Sequence, residues 1–259
     1  MIDSHCHIGF DQTDTAEVLA RAKAVGVNEI LTVACSLTDY AQLISILTKY
    51  PTIYGAFGIH PEYAETMPTD EEMQKKLSAH PNIVAVGECG LDYHYNPETK
   101  KIQCSAFERQ IEIAHRLKKP LIIHAREADD DIISILNSAN CAGLLTYGGV
   151  LHCFTGSQRL AEKGIEVGFY ISASGVITFK NAESIRCVFQ TLPLERLLIE
   201  TDSPYMAPVP YRGKVNEPAF IVKTAEKLAE VKGLSLAEID RITTQNFYTL
   251  FRKEVPHES

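Results

Sequence analysis

The chain has 259 residues, 45% of them hydrophobic, and 25 basic against 33 acidic residues give a net charge of −8. That balance weighs against a protein that coats nucleic acid through a broad cationic face. It leaves room for an enzyme that grips a few phosphates locally, because bound divalent cations reverse the sign of the field inside a pocket. The seven cysteines are scattered, odd in number and without a Cys-x-x-Cys pair, so reduced thiols in a cytoplasmic protein are expected rather than a disulfide framework. Hydrophobic stretches are strand-sized, well short of the roughly 18 residues of a membrane span, and the N-terminus lacks the basic-then-apolar layout of a signal peptide. No Pro/Gly/Ser-rich linker divides the sequence, so residues 1–259 are expected to form a single domain.

In chain order, apolar and β-branched stretches predict strands at Met1–Ser4, Glu29–Ala34, Ile53–Ile59, Val84–Gly87, Leu121–Ile123, Gly149–His152, Phe169–Ser172 and Leu197–Thr201. Between and after them run helical patterns. Thr15–Val25 places Val18, Leu19, Ala22 and Val25 on one stripe and stops at Gly26, and Tyr40–Tyr50 begins after Asp39 and ends at Pro51. Glu98–Lys119 is long and amphipathic, with Lys118-Lys119 at its end before Pro120. Asp129–Ser138, Ser157–Glu166, Asn181–Gln190, Pro218–Lys232 and Leu236–Phe251 follow. Strand–helix alternation implies parallel strands, since only a crossover returns the chain in the same direction. Eight such units in an undivided α/β chain favour a single (β/α)8 TIM barrel, and the lack of a Gly-rich loop after the first strand weakens a dinucleotide-binding sheet.

In a barrel, chemistry gathers at the carboxyl ends of the strands. There the first strand presents His5 and His7, the third His60, the fourth Glu88, the fifth His124, the sixth His152 and the eighth Glu200 and Asp202. Each has a duller explanation taken singly, a satisfied polar histidine or an acid at a helix N-terminus. Taken together, four histidines (His5, His7, His124, His152) and two carboxylates (Glu88, Asp202) at one mouth would repel or desolvate one another unless cations held them. Mixed imidazole and carboxylate donors suit zinc, manganese, iron or nickel and leave room for magnesium. Six ligands exceed one catalytic ion with an open position, so two divalent metal ions are expected, with Glu88 as the bridging carboxylate. Cys6, Cys89 and Cys153 adjoin these ligands, and strand alternation would turn them away as packing residues.

Ser4-His5-Cys6-His7, Gly87-Glu88-Cys89-Gly90-Leu91-Asp92-Tyr93, His152-Cys153-Phe154-Thr155-Gly156, Glu200-Thr201-Asp202-Ser203-Pro204-Tyr205 and Arg212-Gly213-Lys214-Val215-Asn216-Glu217-Pro218 together resemble the TatD family of metal-dependent deoxyribonucleases, within the amidohydrolase-like barrels. The resemblance runs through essentially the whole chain in order. It implies a (β/α)8 barrel acting on DNA, often described as a 3′→5′ exonuclease on single-stranded ends. It also implies one metal on His5, His7, Glu88 and Asp202, a second on Glu88, His124 and His152, and phosphate contacts from His60 and Arg212. Glu200 is either an extra cation ligand or a hydrogen-bonding support for one. Tyr93, Tyr205 and Tyr211 are candidates to stack a base, Asp92 and His94 stay ambiguous, and His80, His115 and His257 carry no assigned chemistry.

The expected reaction is hydrolysis of a phosphodiester, with Asp202 taking the proton of the attacking water and Glu88 holding the metals. The alternative on the same barrel is hydrolysis of a small-molecule amide, lactone or phosphoester. Many amidohydrolase-type sites bridge their metals through a modified lysine, and a glutamate at the fourth strand favours the nuclease-like branch.

Overall fold

The computed structural model describes residues 1–10 and 14–251. Eight parallel strands follow one another around a sheet in sequence order: β1 (Ile2–Cys6), β2 (Glu29–Ala34), β3 (Ile53–Phe57), β4 (Ile83–Asp92), β5 (Leu121–Arg126), β6 (Gly149–Leu151), β7 (Tyr170–Ala173) and β8 (Leu197–Ile199). The ring closes just past the regular strands, where Asp202 N–H donates to the His5 carbonyl at 2.9 Å and His7 N–H to the Ser203 carbonyl at 2.7 Å. The result is a (β/α)8 barrel. Its helices are α1 (Thr15–Ala24), α2 (Tyr40–Lys49), α3 (Asp70–Leu77), α4 (Lys100–Leu117), α5 (Asp129–Cys141), α6 (Gln158–Glu166), α7 (Glu183–Thr191), α8 (Ile221–Lys232) and α9 (Leu236–Phe251).

Alternation along the strands divides the core in two. Ile2, Leu31, Val33, Tyr54, Ala56, Ala85, Ile122, Val150, Tyr170 and Leu198 fill the barrel interior, and Phe247, Leu250 and Phe251 of α9 join them. Their sequence neighbours, among them Ile30, Ala34, Val86, Ile123, Leu151 and Ile199, pack outward against the helices. On β5, β6 and β8 the inward parity then runs on without interruption from Ile122 to His124, Val150 to His152, and Leu198 to Glu200 and Asp202. β1 and β4 behave differently. Pairing with β2 shifts register between Asp3 and Cys6, and pairing with β5 shifts between Val86 and Cys89. Each irregularity changes the parity by one residue, as a bulge does, so that His5, Glu88 and Asp92 face inward while Cys6, Cys89 and Leu91 join the outer core.

Several boundaries differ from those read in the sequence. β4 runs five residues past the expected Gly87, through Glu88 to Asp92, because its pairing with β5 extends from Cys89↔Ile123 to Asp92↔Arg126. Gly90 makes that pairing possible: its φ is +129°, and any Cβ there would overlap the His124 carbonyl. β3 stops at Phe57, two residues short of the expected end. Helix α3 is an addition to the expected set. Only Met73 and Leu77 of its eight residues are buried, too short a stripe to register as periodicity, although the Thr69/Glu72 capping box that starts it is written in the sequence.

Helix α4 holds the end of β4 and the loop after β3 at the mouth. Gln103 accepts from Asp92 N–H at 2.8 Å and donates to the Asp92 carbonyl at 3.0 Å. Seven residues on, Gln110 accepts from Ile59 N–H at 2.8 Å and donates to its carbonyl at 3.0 Å. Both carboxamides are buried, standing in for the sheet partners these peptide groups lack. Gln110→Leu is expected to leave both Ile59 groups unpaired and to lower unfolding free energy by about 2–4 kcal/mol in urea melts. An unchanged midpoint would show that the amide does not hold the loop.

Candidate metal centre

The barrel brings the six expected ligands to one point around the Glu88 carboxylate. Its two oxygens face different groups. Oε2 lies 3.5 Å from His5 Nε2 and 3.9 Å from His7 Nε2. Oε1 lies 2.6 Å from His152 Nε2, 2.9 Å from His124 Nδ1 and 3.6 Å from His60 Nε2. Asp202 Oδ1 completes the first group at 3.5 Å from His7 Nε2 and 3.8 Å from His5 Nε2. His5 Nε2 and His7 Nε2 are 3.3 Å apart. Two nitrogens each bonded at 2.0–2.1 Å to one tetrahedral ion would stand roughly 3.3–3.4 Å apart, so this set fits a divalent metal.

The outer nitrogens of the rings show which histidines offer a lone pair inward. His7 Nδ1–H donates to the Val33 carbonyl at 3.0 Å, leaving Nε2 bare toward Asp202 and Glu88. His124 Nε2 is 2.9 Å from Asp92 Oδ2, and His152 Nδ1 is 3.3 Å from Glu200 Oε1. Both are the carboxylate–histidine pairings that orient metal ligands. His60 is arranged the other way. Glu62 N–H donates to its Nδ1 at 3.2 Å, so the proton of the neutral ring sits on Nε2, the atom turned toward Glu88. Burial pushes the His60 imidazole down to about 4, which keeps it neutral at pH 7. It is therefore built as a hydrogen-bond donor into the mouth rather than as a ligand.

Electrostatics reinforce the picture. Burial opposes ionisation of Glu88, but the surrounding His152, His124 and His5 rings outweigh it and hold the carboxyl well below its usual range. Asp202 is likewise held low: burial raises it, and His7, His5 and His152 more than compensate. Asp92 falls to about 2, with burial overcome by His124 and by the backbone N–H groups of Tyr95 and His94. Glu200 is fully buried. Its Oε1 accepts from Cys153 N–H at 2.6 Å, while Oε2 has no hydrogen-bond partner, as a carboxylate oxygen facing a cation would. His5, His152 and Glu200 also lie close enough to share an ion.

The other sequence candidates separate cleanly. Arg212 is exposed, lies 3.8 Å over the Phe179 ring and donates to the Ala207 carbonyl at 3.3 Å, on the rim rather than in the cage. Tyr205 is 60% exposed and stands edge-on to His7 at 6.0 Å between centroids. Tyr93 is buried and donates to Asp131 at 2.6 Å, and Tyr211 stacks on Phe220 at 3.9 Å, so neither ring is presented to a base. His94 pairs with Glu127 on the surface. His80 accepts from Asn82 N–H, His115 packs beside Tyr147, and His257 lies outside the described residues. Cys6 and Cys89 are turned outward as expected. Cys153 departs from that expectation: its backbone adopts a φ of 41°, the thiol lies 3.1 Å from Ser174 Oγ, and burial, followed by the Asp202 and Glu200 carboxylates, pushes the thiol up, so it borders the site. Sequence reasoning missed Cys35, whose Sγ is 3.5 Å from Glu88 Oε2. It also missed Tyr63, 40% exposed beside His60, and Arg126, whose guanidinium lies 4.7 Å from the exposed Tyr95 ring.

Known proteins resemble this chain over nearly its whole length. A family model described as TatD related DNase matches residues 2–252. The chain is 43% identical over 256 residues to YcfH of Escherichia coli (strain K12), described as an uncharacterized metal-dependent hydrolase, with 97% of this chain and 95% of that protein covered. It is 42% identical over 256 residues to YabD of Bacillus subtilis (strain 168), described in the same words, with 97% and 99% covered. The crystal structure of YJJV, a TatD homolog from Escherichia coli K12, superposes with a TM-score of 0.90 at 32% identity, covering 99% of this chain and 98% of that one.

Proposed function

The chain belongs to the TatD related DNase family, a family of metal-dependent hydrolases, and from that premise we propose that it hydrolyses DNA phosphodiesters, removing nucleotides from single-stranded 3′ ends. The observation that carries the reading is Glu88, whose two oxygens each face a separate set of donors, His5, His7 and Asp202 on one side and His124 and His152 on the other. Two divalent ions held there would acidify a water and polarise the phosphorus centre. Asp202, at the edge of the first set, accepts the proton of the attacking water. His60 donates from Nε2 to a non-bridging oxygen, and its neutrality spares the cost of placing a charge beside the metals. Arg212 meets a neighbouring phosphate from the rim, where a guanidinium fork suits an anion. Tyr205, Tyr63 and Tyr95, exposed on three loops of the mouth, offer faces on which unpaired bases stack.

The alternative is a small-molecule amide, lactone or phosphoester, and the glutamate at position 88 in place of a modified lysine favours the nuclease reading over it. All seven cysteines are free thiols, which supports a reducing, cytoplasmic setting for the enzyme. No described helix is long and apolar enough to cross a membrane.

With end-labelled oligonucleotides and added Mg²⁺, Mn²⁺ or Zn²⁺, stepwise shortening from the 3′ end is expected, abolished by chelator and at least about tenfold slower on duplex, where bases are stacked and unavailable. Cleavage that survives chelation would remove the metal from the chemistry. Turnover of lactones or dipeptides with intact DNA would transfer the assignment to the small-molecule reading.

A further inference from the structure

We propose that Cys35 is a thiolate donor to the ion on the Oε2 side of Glu88, giving this centre a preference for thiophilic metals. Cys35 follows β2 directly. Its carbonyl accepts from His60 N–H at 3.0 Å, which ties the residue to the loop after β3 and fixes where its side chain starts. From there Sγ reaches 3.5 Å from Glu88 Oε2, and it lies 3.9 Å from Nδ1 on the protonated side of the His7 ring, whose Nε2 is the atom left to bind an ion. His7, Cys35 and Glu88 each offer a donor atom close enough to share one ion.

The separation is informative. With His5, His7, Glu88 and Asp202, Cys35 makes five donors, and a sulfur at about 2.3 Å and an oxygen at 2.0–2.2 Å from a five-coordinate ion stand roughly 3.1–3.8 Å apart. As a neutral thiol, Cys35 makes only a weak S–H contact with Glu88. On coordination the proton leaves to solvent and the sulfur becomes a full anionic donor. Other thiols do not duplicate the position: Cys6 and Cys89 contact backbone carbonyls on the outer face of the barrel, and Cys153 is directed to Ser174. A sulfur ligand shifts selectivity toward Zn²⁺ and Cd²⁺ and away from Mg²⁺ and Mn²⁺, which imidazole and carboxylate alone would not do as strongly.

The inference rests on the metal-centre reading but not on the substrate, so its test uses metals alone. Chelator-stripped full-length protein is titrated with Cd²⁺ and with Mn²⁺, following bound metal by equilibrium dialysis and thiolate-to-metal charge transfer in the near ultraviolet. The wild type and Cys153→Ser are expected to develop the Cd²⁺ band. Cys35→Ser and Cys35→Ala are expected to lose it, with Cd²⁺ affinity falling about 10–100-fold and Mn²⁺ affinity holding within about threefold. A band that persists in both Cys35 variants overturns the proposal. Stoichiometric Cd²⁺ binding by the wild type without a band also overturns it, while leaving the histidine–carboxylate centre standing. Failure to bind either ion would overturn both.

Discussion

Glu88→Ala is expected to lower turnover on single-stranded DNA by roughly a thousandfold or more, a loss of about 4 kcal/mol of transition-state stabilisation. The magnitude follows from the position of the carboxylate. Its two oxygens face the two donor sets separately, with Oε2 3.5 Å from His5 Nε2 and Oε1 2.6 Å from His152 Nε2. Truncation would remove the link between the two proposed ions and take from His5, His124 and His152 the buried carboxylate they share. Metal analysis should show one ion or fewer per chain in place of two. Because a buried charge is deleted, Glu88→Gln is the companion variant, keeping the volume while withdrawing the anion. Both should retain the far-ultraviolet circular dichroism of the barrel. Wild-type turnover with two ions bound in either variant would show that Glu88 is not the bridge.

Asp202→Asn should cut kcat by about 10²–10⁴ with KM changed much less, the signature of a group that acts in the transition state. The choice of asparagine matters. Asp202 sits just past β8 with a φ of 56°, a left-handed conformation that Asn tolerates and most other residues do not. Its N–H closes the barrel by donating to the His5 carbonyl at 2.9 Å, a backbone contact the substitution leaves intact. The asparagine variant would thus keep the loop and lose the carboxylate, both as proton acceptor and as an anionic donor beside His5 and His7. Asp202→Ala would mix catalytic loss with backbone strain of order 1 kcal/mol, and comparing their melting curves separates the two. A kcat for the asparagine variant within about threefold of wild type would assign the proton transfer elsewhere.

The two classes of histidine at this centre illustrate how a second contact sets the role of a ring. Val33, Asp92 and Glu200 take the outer protons of His7, His124 and His152 and turn lone pairs inward. The Glu62 N–H does the reverse to His60. One residue type therefore supplies both electron-pair donors and a hydrogen-bond donor within a single mouth, and the difference lies wholly in what stands behind each ring.

The alternation of strands and helices was legible in the sequence because periodicity is a local property: Leu236–Phe251 has the same bounds in the sequence pattern and in the structure. So was the gathering of His5, His7, Glu88, His124, His152 and Asp202 at one end, since in a parallel barrel every strand terminus points to the same face. The tertiary structure decided what local pattern does not encode. The parity changes in β1 and β4 depend on pairing with neighbouring strands. Cys35 meets Glu88 across 53 residues of sequence. Asp92 meets His124 across 32, and Glu200 meets His152 across 48. A side chain's identity and its place on a strand follow from the chain alone, whereas the direction of a ring nitrogen or a thiol is set by the atoms packed behind it, and those atoms arrive only when the barrel closes.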